Sequence, residues 1–164
     1  TPVGVVGLSA AESLAAGFGT SCATLGDGSV SCWGNIPAAI PLAGGDKTVP
    51  SAVSGVSGAE DAILTGGSAV INGPLCTLDA SDVTRCTGSN SFYGLLGNGT
   101  VGGSGTNVQP TGLGPVDRLS GDASAICALT TDSKVRCWGY DQDNLLGDGG
   151  PMDQAAFGPV LGLP

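Results

Sequence analysis

Histidine is absent from this chain, and five lysines and arginines face fourteen acidic residues, for a net charge of −9 at pH 7. The first absence removes the commonest general base and metal ligand at neutral pH. The shortage of cations leaves a field that repels phosphate backbones and anionic headgroups, so nucleic acid is not an expected partner. An acidic, solubilising surface with some preference for cationic partners is what that charge implies. Aromatics are scarce at 4%, and charged residues at 12% are too few to solvate the outer faces of a helical bundle. Thirty glycines and ten prolines would interrupt such helices as well. No apolar run reaches the roughly eighteen residues of a membrane helix, so no insertion into a membrane is expected. Nor does a basic stretch precede an apolar one at the start, where Thr1-Pro2 reads as a mature or excised beginning. Many short strands joined by tight turns remain, an all-β expectation.

The cysteines supply the organisation. They form three pairs of one spacing: Cys22 with Cys32, Cys76 with Cys86, and Cys127 with Cys137. The pairs recur about every fifty residues, the signature of stacked repeats. One repeat domain, 1–164, is thereby divided into units of 1–49, 50–109 and 110–157, with 158–164 opening a further one. Other phrases keep the same phase. Leu95-Leu96-Gly97-Asn98-Gly99 in the second unit matches Leu145-Leu146-Gly147-Asp148-Gly149 in the third, whereas the first has only Pro41-Leu42-Ala43-Gly44-Gly45. Pro2-Val3, Pro50-Ser51-Ala52-Val53 and Pro110-Thr111-Gly112-Leu113 precede the cysteines.

Each pair is symmetric about a turn centred on Asp27, Ser81 or Asp132. Antiparallel pairing about Asp27 sets Thr24 opposite Val30 and Cys22 opposite Cys32, and Asp27-Gly28 has the chemistry of a tight turn. Opposed β-carbons lie about 4.5–5.5 Å apart, near the reach of a disulfide. Each pair is therefore expected to be a cross-strand cystine within one hairpin. Zinc is the rival reading, but its ligand pairs normally stand about two to four residues apart. Six pairable cysteines imply an oxidising compartment, so the chain is expected to be secreted or at a cell surface, extracellular or periplasmic. Upstream, Ser9 to Ala16 reads either as a helical turn capped by Ser9, with Glu12 at the box position, or as a strand Leu14-Ala15-Ala16. Alignment with the other units favours the strand.

At Cys22-Ala-Thr-Leu-Gly-Asp-Gly-Ser-Val-Ser-Cys32-Trp33-Gly34 the chain resembles the repeats of the regulator of chromosome condensation family. Trp138-Gly139, followed by Asn144-Leu145-Leu146-Gly147-Asp148-Gly149, strengthens the likeness. The second unit departs from it, with Thr87 in the tryptophan position and Asp82 after Ser81. The resemblance implies a β-propeller of four-stranded blades, and the paired cysteines look like the secreted bacterial branch. Family activities are nucleotide exchange on a small GTPase, β-lactamase inhibition by a secreted member, and protein binding. Exchange is not carried over, because neither a projecting wedge nor a basic face is evident. Three units are fewer than the four to eight or so blades that close a ring. The expectation is an arc completed by other copies or by a longer chain, with strand donation by Gly158–Pro164 as the simplest link.

No catalytic constellation emerges, and no enzyme, cofactor or metal is expected. Asp141-x-Asp143 with Gly147-Asp148-Gly149 has the outline of a calcium loop, but Leu145 and Leu146 occupy the positions that need a ligand and a glycine. Trp33 and Trp138 read as core. Phe92, Tyr93, Tyr140, Asp141 and Asp143 fall in the loops after the hairpins and are the candidate binding residues, since aromatic side chains on rigid loops make hot spots. The function expected is a non-enzymatic extracellular propeller module for protein interaction or self-assembly. A secreted enzyme inhibitor and a cell-surface carbohydrate-binding module are the alternatives.

Overall fold

The computed structural model describes residues 1–17, 19–42, 47–65, 73–90, 93–122, 124–141, 144–149 and 154–159. Among the described residues, twelve strands form three four-stranded antiparallel sheets. The first sheet holds β1 (Ala11–Gly17), β2 (Thr20–Leu25), β3 (Val30–Gly34) and β4 (Ser51–Ala52). The second holds β5 (Ala59–Leu64), β6 (Leu75–Asp79), β7 (Thr84–Ser89) and β8 (Ser104–Val108). The third holds β9 (Val116–Gly121), β10 (Ala125–Thr130), β11 (Val135–Gly139) and β12 (Gln154–Pro159). In each sheet the strands lie in chain order, and neighbouring sheets meet along their first strands. This is the blade stacking of a propeller, with β1 against β5 and β5 against β9.

Sheet boundaries differ from the sequence units. Strand β4 lies beyond residue 49, so the Pro50-Ser51-Ala52-Val53 phrase finishes the first sheet. Gly158 and Pro159 pair with Cys137 and Arg136 as the edge of the third sheet, so the chain is still completing that blade at 158. The strands of a blade follow in meander order, which puts its edge strand late in sequence and past the repeat phrase. Residues 160–164 lie outside the described residues. The Ser9–Ala16 segment resolves in favour of the strand, β1.

The central hairpins follow the cysteine register. Cys22 faces Cys32, Cys76 faces Cys86 and Cys127 faces Cys137, with Cα separations of 4.1, 4.0 and 4.1 Å, and each pair is bridged. Such short separations mark the non-hydrogen-bonded sites of the ladder, where side chains approach most closely. The turns share one geometry, with Gly28, Asp82 and Ser133 at φ of 77°, 61° and 63°. Only the first uses glycine there. A Cβ on Gly28 would lie 2.7 Å from the Gly58 backbone, so this turn needs the missing side chain for space as well as for its dihedral. Turn carboxylates are tied locally: Asp27 accepts from the Ser29 amide at 2.9 Å, and Asp79 from the Ser81 amide at 2.9 Å.

Two cores lie between sheets. Cys22, Val30 and Cys32 pack against Ala59, Ala62 and Leu75. Cys76, Leu78 and Cys86 pack against Val116, Leu119, Ile126, Ala128 and Trp138. The first two cystines thus line the face that their blade offers to the next one in sequence.

Candidate functional site

The hairpin turns occupy one end of the stacked blades, and the loops leaving β3, β7 and β11 occupy the other. The loop end carries the candidate binding residues. Tyr93, after β7, and Tyr140, after β11, come from adjacent blades and stack with ring centroids 4.2 Å apart and an interplanar angle of 31°. Both rings are half-buried. Tyr93 also rests on the core between the second and third sheets, and the Tyr140 amide donates to the Ser124 carbonyl at 2.8 Å. The pair is thereby held on two blades at once.

In these two blades the loop beneath is built on one buried polar side chain each. Asn90, 1% exposed, accepts from the Leu96 amide through Oδ1 at 2.8 Å. Asp141, also 1% exposed, accepts from the Leu146 amide through Oδ1 at 2.8 Å. Asp141 is therefore the third-blade counterpart of Asn90 and corrects an expectation: it ties the Leu145-Leu146-Gly147 turn from inside and is not displayed on the loop face. Its buried oxygen satisfies an amide that the turn would otherwise strand. Phe92 and Asp143 lie outside the described residues. Of the five candidates, the structure brings two together, Tyr93 and Tyr140.

The loop end also contains the tie between the second and third blades. The Trp138 indole, fully buried, donates from Nε1 to the Leu95 carbonyl at 2.9 Å. Gly139, at φ 114°, lets the chain pass this point, because a Cβ there would sit 2.5 Å from the Ser124 oxygen and 2.8 Å from the Leu95 side chain. Sequence reading found the Trp-Gly and the Leu-Leu-Gly phrases separately. It missed that the tryptophan of one unit meets the leucine turn of the unit before it.

At the opposite end, each inner strand carries the same bulge. Pairing skips Glu12 in β1, Glu60 in β5 and Asp117 in β9, and all three carboxylates are exposed. The available signal was an acidic residue ten positions before both Cys22 and Cys127. Next to this row, Asp61 accepts a hydrogen bond from the Ser13 hydroxyl across the first two blades. In the hairpin turns, the Ser29 hydroxyl and amide hold the Asp27 carboxyl below its usual value. Desolvation raises the Asp79 carboxyl, but hydrogen bonds from Ser81, Arg85 and Val83 outweigh it and the net shift is downward. Lys134 and Thr130 hold Asp132 down to about 2.

Solved structures share this architecture. Human WBSCR16 superposes with a TM-score of 0.71 at 24% identity, over 90% of this chain and 38% of that one. Prp20p of Saccharomyces cerevisiae, studied for its binding to Gsp1p and histones, gives 0.65 at 24% identity, over 92% of this chain and 36% of its own. Yeast RCC1 (Prp20) bound to Kap60 gives 0.68 at 12% identity, over 94% and 37%. The fold is an RCC1-like β-propeller, present here as three blades. No family model and no curated protein matches the sequence. The chain spans less than two fifths of the length of these RCC1-like structures. Their likeness carries the architecture of the blades, and the side chains described above carry the chemistry.

Proposed function

We propose that this chain is a non-enzymatic, extracellular propeller module that binds protein at its loop end and assembles through the faces of its terminal blades. The observation carrying the binding half is the Tyr93–Tyr140 stack, a half-buried aromatic pair fixed across two blades. A pre-ordered aromatic surface loses little side-chain entropy on binding, which is what makes tyrosine an effective anchor. Three cystines support an oxidising compartment. Prp20 is an RCC1-like protein that partners other proteins, which supports the partner class.

The test compares the chain with a Tyr93→Ser/Tyr140→Ser variant as immobilised baits for extracellular proteins of the same source. The expected result is a partner retained by the first and bound about tenfold or more weakly by the second, with both baits folded by circular dichroism. Identical retention by the two baits overturns the loop-end reading. A captured hydrolase whose activity falls on binding would sharpen it to enzyme inhibition. Tyrosine-dependent retention on a glycan array would replace protein with carbohydrate as the ligand class.

A further inference from the structure

The joint between blades is a repeated device with two halves, and the chain carries one unmatched half at each terminal blade. Inside the chain, the carbonyl of the left-handed turn residue accepts from the inner strand of the next blade: Gly28 from the Ala59 amide at 3.0 Å, and Asp82 from the Val116 amide at 2.8 Å. Between the second and third blades the joint adds the Trp138–Leu95 hydrogen bond and the packing of Leu78 and the Cys76–Cys86 bridge against Leu119.

Matching positions on the outer faces are exposed. Strand registers make Leu14 the first-blade counterpart of Leu119, yet Leu14 is 72% exposed against 6%. Trp33, counterpart of the fully buried Trp138, is half-buried, and its indole N–H meets no acceptor among the described residues. On the third blade, Leu129 is 37% exposed where its counterpart Leu78 is 9%, and Leu145 is 50% exposed where Leu95 is 1%. Cys127 is half-buried, whereas Cys22 and Cys76 are fully covered. Cys127, Leu129 and Val135 line a shallow apolar depression on this face. The two faces are therefore complementary, since each presents what the other receives at the internal joint.

We infer that two copies of this chain join head to tail by repeating the internal joint: the Trp33 indole on the Leu145 carbonyl, the Ala11 amide on the Ser133 carbonyl, and Leu14 against Leu129 and the Cys127–Cys137 bridge. The contact is heterologous. It closes into a ring if two copies complete the circle, their six blades lying within the roughly four to eight of known propellers, and otherwise extends into a filament. This inference deepens the assembly half of the proposed function and is independent of the loop-end tyrosines.

Sedimentation equilibrium from low micromolar to near-millimolar concentration, on the 164-residue chain, tests it. Leu14→Asp blocks the head, and Leu129→Asp with Leu145→Ser blocks the tail. All three leucines are exposed, so the blade interiors are untouched. The unaltered chain is expected to associate. Each blocked form alone is expected to associate about a hundredfold more weakly, because a charged or polar side chain would be buried in a joint that is otherwise apolar. Their equimolar mixture is expected to form one-to-one pairs that grow no further, since each retains one intact half. Trp33 emission, isolated by subtracting a Trp33→Phe control, shifts to the blue on association. A strictly monomeric unaltered chain overturns the inference and assigns these faces to further blades of a longer polypeptide. Self-association of the tail-blocked form at the original strength overturns it in favour of a like-with-like contact. The Tyr93→Ser/Tyr140→Ser variant associates normally if the joint is right, whatever becomes of the loop-end reading.

Discussion

The two internal joints are built on one plan with different side chains. Between the second and third blades, Leu95, Leu96, Leu113, Leu119, Ile126 and Trp138 fill the space, and an indole donates across it. Between the first and second, Ala59 and Ala62 stand on the incoming face, with Ile36 and Ile40 behind the first hairpin. There Thr87 replaces the tryptophan, buried at 1%, and its hydroxyl accepts from the Asn107 amide at 2.9 Å. Polar contacts cross this joint instead, from Ser13 to Asp61, from Thr24 to the Glu60 carbonyl and from Asn107 to the Gly55 carbonyl. The substitutions are paired. The unit that lacks the tryptophan follows the unit that lacks the leucine turn, so the lock is a property of a blade pair and not of a single repeat.

Breaking the apolar joint is expected to have the largest effect. Trp138→Ala should cost about 3–5 kcal/mol, since it leaves a cavity among leucines and strands the Leu95 carbonyl. Chemical denaturation measures this, and a loss under about 1 kcal/mol would mean that the indole is not an integral part of the core. Replacing a cystine by two alanines should cost about 2–3 kcal/mol for Cys76 and Cys86, whose bridge is fully covered. The same change at Cys127 and Cys137 should cost less in a monomer, because Cys127 is half-exposed and packs against no following blade among the described residues. Equal losses at the two sites would contradict the difference between an internal and an open face.

A smaller effect runs in the stabilising direction. Thr84 stands where the other units have Val30 and Val135, and its buried hydroxyl has no partner among the described residues. Thr84→Val should raise stability by about 1 kcal/mol by removing an unpaired polar group at constant shape, read as a higher denaturation midpoint. Destabilisation would show that the hydroxyl is satisfied in solution. The smallest effect is acidic. Asp132 is held at about 2 against an ordinary 3.8, so its contribution is complete above that ordinary value and is lost as pH falls from about 4 towards 2. Asp132→Asn should flatten that part of the stability profile only slightly, because the carboxylate is fully exposed and screened by solvent.

Much of this was legible in the sequence because it is local. Cys22 and Cys32 fix the hairpin register by their symmetry about Asp27, and repetition at 76–86 and 127–137 multiplies one hairpin into three. The Tyr93 and Tyr140 loops follow from the same phase. What escaped depends on neighbours. Asp141 reads as a surface acid until its buried counterpart Asn90 shows that the position serves an amide inside the loop. The bulges at Glu12, Glu60 and Asp117 arise from pairing between strands, which hydropathy alternation does not register. The unit boundary drawn after residue 157 falls inside β12, because a meander puts the edge strand of a blade after its repeat phrase.

The central claim, that a tryptophan from one blade is locked to the leucine turn of the blade before it, is tested most directly by hydrogen exchange of the two indole N–H groups in dilute solution. Their NMR signals are assigned with the Trp33→Phe variant. The Trp138 indole should exchange only with global opening, and the Trp33 indole orders of magnitude faster. Equal protection of the two, or a rapidly exchanging Trp138, would contradict the claim.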